Sequence, residues 1–223
     1  PEVLVTSMRV HQKFFALSQK GATENLAPFF MTVTNRRSDL VNDKLIAAGN
    51  ERVLRARLAD AKFFYAHDKQ TPLDSLAEKL EVITFYEGLG SVADKAERMA
   101  ALAGAMANQL DAADPGTARR AAVLAKVDLA SEMVGEFPEL QGIMGGYYAT
   151  AAGETPDVAD AITQHYRPQG PSDEIPASLY GRIVALADKI DTLTGFFGIR
   201  AKPTGSRDPF ALRRAALGVL RII

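Results

Sequence analysis

Cysteine and tryptophan are both absent from this 223-residue chain, and only three histidines occur in it. Without cysteine there is no disulfide framework, no thiolate metal site and no cysteine nucleophile. No apolar run in the sequence approaches the roughly 20 residues that a membrane-spanning helix needs. The N-terminal residues PEVLVTSMRV lack the basic start and the uninterrupted apolar stretch of a secretory signal. These absences favour a cytoplasmic protein.

Charged side chains are present in nearly equal numbers, with 26 basic and 27 acidic residues. The formal net charge of −1 argues against a protein coated with positive charge for nucleic acid, but it allows a local basic patch. Hydrophobic residues make up 47% of the chain, which is enough for a sizeable core. The final LGVLRII lies inside an apolar helical pattern without a stop signal, which predicts a piece of a longer polypeptide.

The residue patterns predict a mainly α protein with a small strand-bearing segment at its start. Residues 3–18 mix β-branched and aromatic residues, and with the later run PFFMTVTN they predict an antiparallel hairpin. From Asn42 to Tyr65 the apolar period becomes helical. Thr71-Pro72 breaks this helix and marks a predicted domain boundary. Every later segment is predicted to be helical, over residues 73–86, 91–111, 116–135, 138–151, 156–166, 177–198 and 208–223.

Five long strings resemble the beta subunit of bacterial two-subunit glycyl-tRNA synthetases and occur in that family's order along the whole chain. They are SMRVHQKFFAL, AGNERVLRARLADAKFF, EFPELQGIMGGYYA, ALADKIDTLTGFFGI and DPFALRRAALGVLRII. The resemblance implies a fragment of that subunit. Residues 1–70 are then expected to end a strand-bearing N-terminal domain and add a connecting helix. Residues 71–223 are expected to form a helical bundle similar to the HD domain, truncated at its C-terminus.

The same resemblance implies a function. The fragment is expected to help bind and position glycine tRNA as part of glycine-tRNA ligase, an ATP-dependent aminoacyl-tRNA synthetase of protein biosynthesis. Its expected partners are glycine tRNA and the alpha subunit, in an α2β2 heterotetramer. In this family ATP, glycine and Mg²⁺ bind at the alpha subunit, so we expect no catalytic residue, metal or cofactor in this chain.

HD phosphohydrolases bind a divalent cation through a histidine, a His-Asp pair and a later aspartate on neighbouring helices. VADKAERMAAL resembles the helix of the first histidine but has Lys95 in its place. LAKVDL resembles the His-Asp helix with Val127 for the histidine and Asp128 retained, and ALADKIDTL retains Asp188. Neither an ammonium group nor valine can donate a lone pair to a metal. The resemblance therefore implies a degenerate HD site in which Lys95 forms ion pairs with Asp128 and Asp188. A working metal-dependent phosphohydrolase is the alternative.

Two other acidic motifs have a structural and a functional interpretation. The literal His67-Asp68 dipeptide lies at a predicted helix end, where the polar pair suits a helix terminus, and the alternative is a pair of metal ligands. Asp128, Glu132 and Glu136 recur at a spacing of four residues. This spacing predicts an acidic helix face or partners for arginines, and the alternative is a Mg²⁺ site.

The string GIMGGYY has adjacent glycines but lacks the spacing and the strand context of a phosphate-binding loop. It predicts close helix packing, with Tyr147 and Tyr148 on different sides of the helix.

Basic residues exceed acidic residues near the C-terminus, on a loop and on a helix predicted to begin at Asp208-Pro209. Such a patch beside a helix N-terminus can contact phosphate, and the alternatives are a solvated surface or a docking surface for the rest of the protein. A second basic cluster lies on the first long helix. The candidate tRNA-binding residues of the two clusters are Lys202, Arg207, Arg213, Arg214, Arg52 and Arg55. A purely structural subunit-interaction module is a further functional alternative.

Overall fold

The computed structural model describes residues 1–19, 22–37, 39–205 and 207–223, and of residues 22–25 the backbone alone. Within these residues the chain is mainly α, as predicted, with two small antiparallel sheets. None of the helices in the described part of the chain combines the length and the apolar composition that a membrane span requires.

The N-terminal region contains a helical start, a hairpin and one long helix. Helix α1 (Glu2–Thr6) continues into a π-helical turn over Ser7–His11. Strands β1 (Phe15–Gln19) and β2 (Ala22–Met31) then form the predicted antiparallel hairpin, with Phe15 opposite Met31. Helix α2 (Leu40–Asp68) begins at Asp39, whose side chain accepts a hydrogen bond from the backbone N–H of Val41.

The prediction of a strand from residue 3 is wrong, because the backbone is helical from residue 2 to residue 11 and extended only from Phe15. Met8 is buried, and the ring of His11 meets the ring of Phe137 edge-on at 5.0 Å. Packing against the body of the protein therefore outweighs the β-propensity of Val3 and Val5, which is a weak and context-dependent preference.

The remaining helices form the bundle. They are α3 (Leu73–Lys79), α4 (Val92–Ala107), α5 (Pro115–Leu124), α6 (Glu132–Glu136), α7 (Ile143–Ala151), α8 (Pro156–Gln164), α9 (Leu179–Gly198) and α10 (Leu212–Ile222). Helix α4 packs against α5 and α9, and α8 packs against α5, α7 and α9. Fully buried side chains such as Met99, Leu124, Met144 and Ile162 fill the space between them.

Two parts of the bundle differ from the predicted helices. The predicted helix over residues 116–135 is divided, because α5 ends at Leu124, a 3-10 turn covers Val127–Ala130, and Ser131 starts α6 as its N-cap. The predicted helix over residues 73–86 gives way to β3 (Thr84–Tyr86), which pairs with β4 (Gly90–Ser91). Gly88 and Gly90 adopt positive φ angles in this turn, a conformation that glycine adopts without steric cost.

Candidate functional site

Helix α4 carries Lys95 into the interior of the bundle. A capping box fixes the start of this helix, since Ser91 Oγ accepts from the Asp94 backbone N–H and Asp94 Oδ2 accepts from the Ser91 backbone N–H. One residue further along, the side chain of Lys95 is buried and its Nζ lies 4.6 Å from the centre of the Phe85 ring. The ammonium group is therefore removed from water and needs partners within the protein.

Two aspartates of α9 supply those partners. Lys95 Nζ lies 2.9 Å from Asp188 Oδ1, and this ion pair does not have the alignment of a hydrogen bond. Lys95 Nζ also lies 3.1 Å from Asp191 Oδ2. It also donates a hydrogen bond to Thr192 Oγ1 at 2.8 Å. Lys126 Nζ lies 3.1 Å from Asp188 Oδ2, so each oxygen of this carboxylate faces a lysine. Burial opposes the charge on Asp188, but Lys126 and Lys95 outweigh burial and hold its pKa below the ordinary value.

This set of donors does not fit a divalent metal ion. The two lysines that face Asp188 offer no lone pair while they are protonated, and Val127 is fully buried in the apolar core. The lysines instead provide positive charge next to a retained aspartate. We call Lys95, Lys126, Asp188 and Asp191 the lysine cluster.

Asp128 does not join the lysine cluster as an ion-pair partner, so the expected pair with Lys95 is wrong. Its Oδ2 accepts hydrogen bonds from the backbone N–H groups of Gly142 and Gly145, at 2.5 and 2.9 Å. Its Oδ1 is buried without a hydrogen-bond partner among the described residues. Burial raises the pKa of Asp128 to about 6, against these two hydrogen bonds and the charge of Lys126. Asp128 therefore fixes the turn before α7.

Several charged groups at this site were missed from the sequence. Arg98 Nε donates to Asp191 Oδ1 at 2.6 Å, which gives Asp191 a second cation. Lys189 Nζ donates to the carbonyl oxygens of Arg167, at 2.8 Å, and Tyr166, at 3.4 Å, and burial lowers its pKa to about 8. The string ALADKIDTL contained one usable signal, because residues three apart on a helix share a face and Asp191 follows Asp188 by three.

The His67-Asp68 pair lies elsewhere, where the end of α2 meets the start of α6. Asp68 is buried, and its two oxygens accept hydrogen bonds from the backbone N–H groups of Glu132 and Met133 and from the Tyr148 hydroxyl, at 3.0, 3.0 and 2.8 Å. His67 Nδ1 lies 3.3 Å from Glu132 Oε2 at the surface. The atoms of His67, Asp68 and Glu132 are close enough together to hold a metal. Asp68, however, already caps the start of α6 by accepting hydrogen bonds from its first backbone N–H groups. The predicted role at a helix terminus therefore accounts for the burial of Asp68. We call these three residues the histidine cluster.

The predicted acidic face does not form, because Asp128 and Glu132 lie on different elements separated by Ser131. Glu132 pairs with His67, and Glu136 pairs with Arg57 of α2. Partnering with an arginine, one of the two predicted uses, is thus confirmed for Glu136.

The GIMGGYY segment lies on α7 and packs closely against α8, as predicted. A Cβ atom at Gly145 would meet Ile162 at 2.7 Å, and one at Gly146 would collide with Thr163. Tyr147 is exposed and Tyr148 is buried, so the two rings do lie on different sides of the helix.

The C-terminal basic residues line a groove of about 680 Å³ between α10 and the segment 168–171. Helix α10 begins at Leu212, later than predicted, and Asp208 accepts hydrogen bonds from the backbone N–H groups of Leu212 and Arg213. This carboxylate occupies the helix N-terminus that a phosphate was predicted to contact. We call the space lined by Arg213, Arg214 and Arg221 the arginine groove.

The candidate basic residues differ in how they are held. Arg213 donates to the carbonyl oxygen of Gly205, and Arg221 donates to those of Gly170 and Asp173. Arg214 is exposed and has no hydrogen-bond or ion-pair partner in the described part of the chain.

Two further candidates lie outside the groove. Arg207 is exposed on a loop, and Lys202 Nζ lies 5.8 Å from the centre of the Phe197 ring.

The second basic cluster lies on the middle of α2. Arg52 and Arg55 are both exposed, and Arg55 borders an apolar groove between α2 and the hairpin. Neither guanidinium group has a partner among the residues that the structure describes. The structure thus places the two basic clusters on separate elements and does not bring them into one site.

A family model described as "Glycyl-tRNA synthetase beta subunit" matches residues 1–223 of the chain. The chain belongs to this family. It is 56% identical over 225 aligned residues to the glycine–tRNA ligase beta subunit of Phenylobacterium zucineum, which covers 100% of the chain and 33% of that protein. The beta subunits of Rhodospirillum centenum and Azotobacter vinelandii are 55% and 51% identical across the whole chain, which spans 31% and 32% of their lengths.

The chain therefore spans about a third of the length of these curated relatives. Family membership agrees with the resemblance on which the expected function was based. The lysine cluster, the histidine cluster and the arginine groove all lie within the shared third.

Proposed function

We propose that this chain is the part of a glycine–tRNA ligase beta subunit that helps to bind and position glycine tRNA for formation of glycyl-tRNA. The proposal depends on family membership and on the arginine groove. Its partners are then glycine tRNA and an alpha subunit, in an α2β2 assembly in the cytoplasm. ATP and Mg²⁺ are expected at the alpha subunit, and this chain contributes positioning, which lowers the cost of bringing reactants together.

The arginine groove is the observation that supports tRNA binding best. Three arginines of α10 border it, and Asp208, the one acid among the described residues of its lining, is bound to the start of the same helix. Positive side chains that lie along a groove can track a phosphate backbone without reading its sequence. Arg214 is the most available of them, because its guanidinium group has no other partner in the described residues.

The test is a fluorescence-anisotropy titration of the chain with glycine tRNA and with an unrelated tRNA, at low and at physiological salt. We expect salt-sensitive binding that is tighter for glycine tRNA. Arg214→Glu is expected to weaken binding about tenfold. It is also expected to reduce the slope of the log binding constant against the log salt concentration by about one, since one phosphate contact is lost.

Arg37→Glu is the matched control, because Arg37 is also exposed but lies outside both basic clusters. If the two variants weaken tRNA binding equally, only the net charge matters and the arginine groove is not the contact. If the unchanged chain does not bind tRNA at either salt concentration, the proposed function of this region is wrong.

A subunit-interaction role is the second candidate, and the start of α2 favours it. Leu40, Val41 and Leu45 are exposed there at 80%, 77% and 71%. Large apolar side chains concentrated on one helix end suggest a contact with another protein surface. Loss of binding to the alpha subunit in a Leu45→Gln variant, with tRNA binding retained, would favour this role.

The alternative of a metal-dependent phosphohydrolase has less support from the site. Its metal would need ligands at Lys95 and Val127, and these positions hold an ion-paired ammonium group and a core side chain.

A further inference from the structure

A small polar cavity lies behind the arginine groove, between α9, α10 and residues 166–169. Its volume is about 310 Å³. The polar residues on its wall are Gln141, Tyr166, Gln169, Asp188, Lys189, Thr192 and Arg214. We call it the Lys189 cavity. It adjoins the arginine groove, and Pro168, Gln169, Ala211 and Arg214 border both spaces.

The charge around the Lys189 cavity is positive. Asp188 is the only acid among the described residues that line it, and both of its oxygens already face lysines of the cluster. Asp191, behind it, is shared by Lys95 and Arg98. Counting Asp128 and also Asp173, whose charge acts on Lys189, four carboxylates of the described residues lie near five side-chain cations: Lys95, Arg98, Lys126, Lys189 and Arg214. An anion in the cavity would compensate this excess.

Several hydrogen-bond donors on the cavity wall lack a side-chain partner. Within the described part of the chain, Lys189 Nζ donates to two backbone carbonyl oxygens, so one of its three N–H groups remains available. The Arg214 guanidinium group and the side-chain amides of Gln141 and Gln169 have no hydrogen-bond partner within the described part of the chain. An ammonium group, a guanidinium group and two amides thus surround one small space.

We propose that the Lys189 cavity binds the phosphate group of a phosphate monoester. Such a group carries up to two negative charges and three acceptor oxygens, which suits the available donors better than a carboxylate with two oxygens. The guanidinium fork of Arg214 can hold two of these oxygens and Lys189 the third. Phe210 and Pro168 form the apolar side of the cavity, where the organic part of the ester would lie.

The direct test is isothermal titration of the 223-residue chain with inorganic phosphate and with AMP. We expect one binding site per chain. Arg214→Gln is expected to weaken phosphate binding about tenfold or more, because a hydrogen bond between charged groups is lost. Ala215→Leu is expected to abolish binding by filling the cavity from α10, without any change of charge. Arg37→Gln, at an exposed arginine outside both basic clusters and outside the cavity lining, is the control and is expected to bind phosphate normally.

Three results would overturn the proposal. The first is the absence of phosphate binding to the unchanged chain at low salt. The second is equal weakening by Arg37→Gln and Arg214→Gln, which would indicate diffuse surface attraction. The third is normal binding by an Ala215→Leu chain with an unchanged unfolding temperature. Because Ala215→Leu leaves the charge of the arginine groove intact, it separates failure of this site from failure of tRNA binding.

The source of the phosphate group is decided by competition. AMP that displaces bound phosphate, while an RNA stem with a 5′ monophosphate does not, would assign the site to a free nucleotide. Displacement by that RNA, and not by the same RNA without its 5′ phosphate, would assign it to a terminal phosphate of RNA. Both results retain the cavity as a phosphate-monoester site.

Discussion

The lysine cluster and the histidine cluster both have carboxylates where a metal centre was considered, but they neutralise them differently. In the lysine cluster, Asp188 meets the ammonium groups of Lys95 and Lys126. In the histidine cluster, Asp68 meets two backbone N–H groups and a tyrosine hydroxyl, all of them uncharged donors. A sequence motif for metal binding is therefore a poor guide here, because the cluster with the literal His-Asp pair serves as a helix cap. The cluster without histidine instead sets two ammonium groups against one buried carboxylate.

Removal of one lysine gives the largest expected difference between the clusters. Lys95→Met leaves Asp188 and Asp191 with one cation each in a buried place, and we expect it to lower the free energy of unfolding by about 4 kcal/mol. Urea denaturation followed by circular dichroism measures this change.

Lys202→Met is the control for that experiment and is expected to change stability by no more than about 0.5 kcal/mol, because Lys202 is exposed. Equal, small effects of both substitutions would show that the buried ion pairs do not hold α4 to α9.

The cap in the histidine cluster is expected to contribute less. Asp68→Ala removes three hydrogen bonds and leaves buried donors unsatisfied, so we expect a loss of about 3 kcal/mol in the same denaturation experiment. His67→Ala keeps those hydrogen bonds and is expected to cost no more than about 0.5 kcal/mol. A larger loss for His67→Ala than for Asp68→Ala would contradict the assignment of Asp68 as a cap.

The pH dependence of stability separates Asp128 from Asp188. The folded chain raises the pKa of Asp128 from 3.8 to about 6, so folding favours the protonated form. The contribution of Asp128 to stability then falls as the pH rises through this window. We expect Asp128→Asn to gain about 2 kcal/mol relative to the unchanged chain between about pH 4 and about pH 7.5.

Asp188→Asn is expected to show the opposite sign. Its pKa is lowered in the folded chain, so its contribution is present above the ordinary value and is lost as the pH falls. Relative to the unchanged chain, the Asp188→Asn variant is expected to become less stable as the pH rises toward about 4, and to keep a constant deficit above that pH. The stability of each variant relative to the unchanged chain should therefore change with pH in opposite directions. A change in the same direction would contradict the assignment of Asp188 to ion pairs and of Asp128 to uncharged donors.

The resemblance of the sequence to the HD family predicted the ion pair of Lys95 and Asp188. Both residues lie on long helices, and the matching strings fixed their positions along these helices. The resemblance could not predict the partners of Asp128. These are backbone N–H groups of Gly142 and Gly145, and their position depends on the division of the predicted helix over residues 116–135.

Predictions at the two ends of the chain were limited for the same reason, because they depend on contacts made in the folded chain. Residues 3–18 have strand-like composition, but packing made their first part helical. The basic residues near the C-terminus were visible as a group. The sequence could not show which of them lacks a partner within the described residues. That depends on the carbonyl oxygen of Gly205, which binds Arg213, and on those of Gly170 and Asp173, which bind Arg221.

The most direct test of this difference between the two clusters is the content of divalent metal in the purified chain. Mass spectrometry measures it after dialysis against buffer with manganese and magnesium. We expect less than one equivalent of metal and an unfolding temperature that neither manganese nor a chelator changes. One tightly bound equivalent, retained by a His67→Ala variant and lost from an Asp188→Asn variant, would contradict the interpretation that the ammonium groups of Lys95 and Lys126 take the place of a metal ion beside Asp188.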